Sequence, residues 1–276
     1  MMPDFTEFQH ALEAVRVQLG RYSVTLVTTD AENNPCQIGS GTCVDLGGRR
    51  GIFTAAHVVL DAPVNCISVI LPERAGLNSF VRSVHLEGGR EEDVGRAADP
   101  IDVAFLELSE EGIQVLSSFK QFLNLDRIES GVAYRERPFM VYGTPSALVS
   151  QEAIARKELP VIPICYATEA TQQRPAGTTM ADHIVLEYPQ LGNIWGATGR
   201  ELDVTREPEA TLLRDPRGIS GGGIWTMRSV DSPIWSPESA VLVGIETGWR
   251  PVSRLIVGNQ IQHAIAVADK PVRGTQ

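Results

Sequence analysis

The stretch GISGGG, Gly218 to Gly223, decides how the fold is read. Its first five residues fit G-x-S-x-G. That pattern can form a strained strand-to-helix elbow that exposes a nucleophilic serine. It can also form a glycine loop whose N–H groups turn toward an oxyanion, or an ordinary turn. An elbow needs a buried apolar strand before the serine and a helix after it. The residues before it, LLRDPRGI, hold Pro216 and three charges. The residues after it, GGGIW, start a helix poorly, since each glycine costs about 1 kcal/mol there. Neither flank suits an elbow.

Outward from this stretch the pattern is short and β-like. YSVTLVTT (22–29) is β-branched and alternating. IGSGTCVDL (38–46), IFTAAHVVL (52–60), CISVIL (66–71), FVRSVHLEG (80–88) and DVAFLEL (102–108) follow, separated by turn residues. RPFMVYGTP (137–145), 150–168, HIVLEYP (183–189) and AVLVGIETGW (240–249) continue in the same style. Turn-separated strands at this spacing predict an antiparallel barrel or sandwich, and the alternating βαβ units of a parallel sheet are missing. Two segments have helical spacing: residues 5–19 (Phe5, Phe8, Leu12, Val15, Leu19), which Thr6 or Asp4 could cap, and 258–270 (Ile261, Ala264, Ile265, Ala268). The polar stretch 196–217 reads as a long, substrate-facing loop.

A serine hydroxyl attacks only with a base to take its proton and a third group to orient that base. Of the five histidines, His57 stands out: FTAAHVV places it at the end of an apolar strand, among small residues. A buried, backbone-satisfied histidine would look the same. Asp102 opens the apolar run DVAFLEL, where a carboxylate is costly without a partner. Asp99 competes with it, as an acid at a strand-start turn. The order His57, Asp102, Ser220 is available. So is Ser220, then Asp231 or Glu246, then His263, the order of an α/β-hydrolase esterase.

TAAHV, DVAFLEL and GISGGGIW resemble the three catalytic blocks of the trypsin-like (chymotrypsin-fold) serine proteases. GSGTCV and VLVGIETG are similar to two further strands of that family. The resemblance runs from about residue 38 to about residue 249. It implies an all-β fold: two six-stranded antiparallel β-barrels with the active site between them, plus an N-terminal and a C-terminal helix. The implied organisation is a helix over 1–21 and a peptidase domain over 22–276, with barrels at about 22–130 and 131–257. The resemblance also implies Ser220 as nucleophile, His57 as general base and acid, and Asp102 as orienting acid. The N–H groups of Gly218 and Ser220 would form the oxyanion hole, with Gly221 and Gly222 giving the substrate backbone close approach. Substrate would pair with Glu246, Thr247, Gly248 and Trp249. Arg214, six positions before the serine, would suit an acidic substrate side chain, whereas Glu246 would suit Lys or Arg.

Ile219 departs from the family, whose secreted members commonly carry an aspartate there to pair with a cleaved N-terminus. Activation by N-terminal insertion is therefore not expected. Regulation by a protein partner or ligand is, with the N-terminal helix as a candidate docking element. Val58 occupies the place of the histidine-loop disulfide partner.

The formal net charge of −10 argues against nucleic acid as partner. No run approaches the roughly 18 apolar residues of a spanning helix, and the N-terminus does not read as a secretory signal. Cys36, Cys43, Cys66 and Cys165 form no C-x-x-C pair, so no metal or other cofactor is expected. Free thiols in a cytoplasmic protein are the expectation. Partners would be peptide or protein substrates. The competing class is a trypsin-fold module that binds proteins without cleaving them.

Overall fold

The computed structural model describes residues 5–30, 32, 34–71, 78–88, 101–131, 137–146, 163–188, 193–196, 201–203, 216–228 and 236–272. Six strands form the first sheet: β1 (Ser23–Thr29), β2 (Pro35–Asp45), β3 (Arg50–Thr54), β4 (Ile67–Ile70), β5 (Val81–Glu87) and β6 (Val103–Leu108). They pair antiparallel in the order β4-β1-β2-β3-β6-β5. Two-residue β7 (Leu123–Asn124) adds to β2 in parallel. The sheet curls until its edges meet: the Val69 N–H donates to the Asn78 carbonyl at 2.9 Å, just ahead of β5.

The second sheet repeats the plan. Its principal strands are β8 (Phe139–Gly143), β9 (Ile164–Thr168), β10 (His183–Glu187), β13 (Gly223–Met227), β14 (Ala240–Arg250) and β15 (Leu255–Gln260). Their order is β10-β15-β14-β13-β8-β9, and the hairpin β11 (Asn193–Gly196) and β12 (Glu201–Asp203) extends it beyond β9. Here too the edges meet. Ala170 bridges Leu186, and the Thr171 N–H donates to the Val185 carbonyl at 3.0 Å. Both sheets are thus curled and antiparallel, each with six principal strands. The strand–elbow–helix of an α/β-hydrolase has no place here, since Ser220 leads into strand β13 and not into a helix.

Among the described residues the α-helices are α1 (Phe5–Gly20), α2 (Ala56–Val59), α3 (Glu110–Ser117) and α4 (Ile261–Ala268). One core cluster joins both sheets. It holds Val44, Phe53 and Phe105 from the first, and Tyr142, Trp225 and Ile245 from the second. Val15 and Leu19 of α1 enter it, as do Ile261, Ala264 and Val267 of α4. Each such side chain contributes about 1.5–3 kcal/mol when fully buried. The two terminal helices therefore wedge the seam between the sheets. The Val15–Leu19 face of α1 is taken up inside the chain. Arg16, also buried, is held by Glu13 through bonds of 2.9 and 2.6 Å, which keep the Glu13 carboxyl below its usual range.

Two local readings change. His57 sits in the short turn of helix α2, not at a strand end, because β3 stops at Thr54. LIVGNQ is a full strand, so the last helix begins at Ile261 and not at Gly258. Helix α3 is capped by Ser109, whose hydroxyl accepts from the Gly112 N–H.

Candidate active site

The first sheet supplies a histidine and an acid. β3 ends at Thr54, and α2 turns His57 back across the mouth of the barrel. Asp102 lies one residue before β6, the strand paired to β3. Its carboxylate grips His57 twice: Oδ1 accepts from the backbone N–H at 2.9 Å, and Oδ2 meets ring Nδ1 at 2.6 Å. Both side chains are about one-seventh exposed, at 13% and 14%. A carboxylate only accepts, so Nδ1 donates in this bond, which in a neutral imidazole leaves Nε2 as the acceptor. Asp102 is fixed in turn by Asn259 of β15, whose Oδ1 accepts the Asp102 N–H at 2.9 Å. Asn259 is 1% exposed, and no motif marks it in the sequence. The structure thus brings together His57 and Asp102. The competing Asp99 and Asp231 lie outside the described residues. His263, the alternative base, faces Asp182 at 3.1 Å instead.

The serine comes from the second sheet, in the turn before β13, and is pinned to the first. The Ser40 N–H donates to the Ser220 carbonyl at 2.8 Å, and the Ser40 hydroxyl to the Gly218 carbonyl at 3.2 Å. Gly39 touches both halves: a Cβ there would lie 2.4 Å from Val58 Cγ1 and 3.2 Å from the Ser220 carbonyl oxygen. Gly221 has φ +89°, and a Cβ on it would fall 2.0 Å from the Ser40 carbonyl oxygen and 3.1 Å from Ala55 N. Only glycine permits both the conformation and the contact. The serine loop therefore lies directly against the turn that carries His57.

Gly221 and Gly222 correct an expectation. The space beside them is filled by the protein's own backbone, Ser40 and Tyr142 respectively, and not left for substrate. Ile219 is fully buried in the second core with Val141, Tyr166 and Ile224. An apolar plug thus anchors the loop at this position.

The N–H groups of the loop divide into two sets. Those of Ile219, Gly221 and Gly222 donate to the carbonyls of Pro216, Glu246 and Ile219, at 3.1, 2.7 and 2.7 Å. Those of Gly218 and Ser220 meet no acceptor among the described residues. Gly218 has φ +97°, in the left-handed region that favours glycine.

Of the expected substrate residues, Glu246, Thr247, Gly248 and Trp249 lie on β14, immediately behind this loop. Glu246 exchanges backbone bonds with Gly221 and Gly222, at 2.7 and 2.8 Å. Its side chain is 2% exposed. Its charge helps hold the Tyr166 phenol protonated, after burial and Tyr188. Trp249 packs edge-on against Tyr188 at 5.1 Å, with the Arg254 guanidinium beside both rings. Arg214 lies outside the described residues. Among the described residues no cluster of side chains could hold a metal ion. Nor is any helix among them long and apolar enough to cross a membrane. All four cysteines are unpaired.

No protein-family model matches the chain, and no curated protein does. Solved structures do match in fold. The scabies mite inactivated protease paralogue S-D1 superposes with a TM-score of 0.55 at 9% identity, covering 95% of this chain and 97% of its own. Its paralogue S-I1 gives 0.54 at 14%, covering 90% and 93%. The thermostable serine protease AL20 from an extremophilic microorganism gives 0.52 at 10%, covering 91% and 99%. The chain has the fold of the trypsin-like serine proteases. Two of these three neighbours are inactivated, so activity has to be argued from the residues and not from the fold.

Proposed function

We propose that the chain is a serine endopeptidase working through an acyl-enzyme. The observation that carries this reading is the two-point grip of Asp102 on His57 beside a serine loop in which two N–H groups meet no acceptor among the described residues. Ser220 Oγ attacks the scissile carbonyl as His57 Nε2 takes its proton. The imidazolium is stabilised by Asp102, and the oxyanion receives the N–H groups of Gly218 and Ser220. His57 then returns the proton to the leaving amine. Water repeats the sequence to release the acid.

An extended peptide pairs along Glu246–Trp249 by strand addition. The buried Glu246 carboxylate supports cleavage after Lys or Arg. Buried Ile219, which cannot accept an ion pair from a new N-terminus, supports an enzyme that needs no N-terminal processing. Control by a partner or ligand, and a cytoplasmic setting in keeping with the unpaired thiols, belong to the same proposal.

The inactivated neighbours favour a second reading, a binding module without turnover. A proteome-wide cleavage profile comparing the wild type with Ser220→Ala separates the two. Endopeptidase action gives new termini after Lys or Arg that vanish in the variant, and Glu246→Gln weakens that preference. Identical profiles from wild type and Ser220→Ala would leave the binding module.

A further inference from the structure

A trans peptide is planar, so its C=O and N–H point in opposite directions. An N–H can therefore be aimed by gripping the carbonyl of the preceding residue. The two N–H groups offered to an oxyanion belong to the 217–218 and 219–220 peptides. The Ile219 carbonyl is held from within the loop, accepting from the Gly222 N–H at 2.7 Å. The Arg217 carbonyl is held from outside it, and by one residue twice. It accepts from the Ser146 N–H at 2.8 Å and from the Ser146 hydroxyl at 3.0 Å.

We infer that Ser146 is a positioning residue, which holds the 217–218 peptide with its N–H directed into the oxyanion site before any ligand arrives. This rests on the endopeptidase reading. Three further observations support it. Ser146 is pressed on the peptide it would hold, since a Cβ at Gly218 would lie 2.3 Å from Ser146 N. The brace is itself anchored two residues upstream. The Thr144 N–H donates to Ser40 Oγ at 2.8 Å, and the Thr144 hydroxyl bonds that of Thr25 at 2.6 Å. Ser40 also grips the Gly218 carbonyl, so one hydroxyl network ties brace and loop to the first sheet. Finally, glycine at 218 makes the opposite orientation of this peptide easily accessible, so something outside the loop has to select one.

The role separates from mere stability through what it touches. The bonds of Ser146 run to the Arg217 carbonyl and not to His57, Asp102 or Ser220, and its hydroxyl bond lies at the surface. Ser146→Ala keeps the backbone bond and loses the hydroxyl one. The expected loss in kcat is about three- to tenfold, the worth of one neutral hydrogen bond, with KM little changed. Affinity for a peptide boronate, which forms a tetrahedral adduct on the serine, should fall by the same factor. Affinity of the inactive Ser220→Ala enzyme for an uncleaved peptide should be unchanged when Ser146→Ala is added. Ser146→Thr, which retains the hydroxyl, should restore turnover. Ser146→Cys, with a weak donor of similar size, should reproduce the loss and guards against a folding defect in the alanine variant. Wild-type kcat and boronate affinity in both the alanine and cysteine variants would overturn the inference while leaving the protease reading intact. A wild type that reacts with neither fluorophosphonate nor boronate would remove that reading, and this inference with it.

Discussion

The two halves of the site are built from different materials. On the first sheet, one side-chain group, the Asp102 carboxylate, joins the pair: it accepts from the His57 backbone N–H at 2.9 Å and meets ring Nδ1 at 2.6 Å. On the second sheet, Ser220 is held by backbone. Its loop is fixed by carbonyls, N–H groups and glycines that let Ser40 and Ala55 come close. The first half is specified by side-chain chemistry and the second by chain geometry. Damage to the first should cost turnover alone, whereas damage to the second should cost turnover and stability together.

The largest effect is expected from Asp102→Asn. Its amide cannot accept from both the His57 N–H and Nδ1–H, so the ring loses its enforced tautomer and kcat should fall about 10⁴-fold. Thermal unfolding should barely move. Gly221→Ala tests the other half. The new Cβ meets the Ser40 carbonyl at a φ of +89°, so the loop must shift. Turnover should fall about 10²–10³-fold, as for a lost oxyanion donor. The unfolding midpoint should drop as well. If Gly221→Ala left stability intact, the contrast between the halves would fail.

Asn259→Leu gives a smaller effect, because it leaves His57 and Asp102 in place and removes the acceptor of the Asp102 N–H. An unsatisfied, partly buried donor costs about 1–3 kcal/mol. Turnover should fall about tenfold on steady-state kinetics, with KM nearly unchanged.

The smallest effect treats the two sheets alike. Burial pushes the Cys43 thiol up to about 12 in the first and the Cys165 thiol up to about 12 in the second. A group whose folded pKa is raised gives stability that is complete below its unfolded value, about 8.5, and lost as pH rises toward the folded value. Urea midpoints should therefore decline between about pH 9 and 11, and Cys43→Ala or Cys165→Ala should each flatten the decline. Equal slopes in wild type and variants would contradict this.

The same contrast explains what could be read from the chain. The pairing of His57 with Asp102 was legible because a carboxylate opening an apolar strand needs a partner, and a histidine N–H is one. Alternation and turn residues predicted an antiparallel barrel or sandwich, and the resemblance of the three blocks implied the two barrels; LIVGNQ was missed because its buried strand runs straight into a helix without a break. Asn259 and Ser146 were not legible. Each acts through a backbone group, Asp102 N–H or Arg217 C=O, and any short polar residue in a suitable loop would look the same in sequence. Gly221 was legible as a requirement for space, but the atoms filling that space come from Ser40, far away in the chain. The direction of α1 was ambiguous for a similar reason. An apolar helical face does not say which surface it covers, and here it covers the seam between the sheets.

The central claim is that these two halves meet as a working nucleophile. Fluorophosphonate labelling, with the modified residue mapped by mass spectrometry, tests it most directly. Labelling is expected on Ser220 alone, absent in Ser220→Ala, sharply slowed in His57→Ala, and unaffected in His263→Ala. A folded wild type that stays unlabelled across neutral pH, or one labelled equally well without His57, would contradict the account.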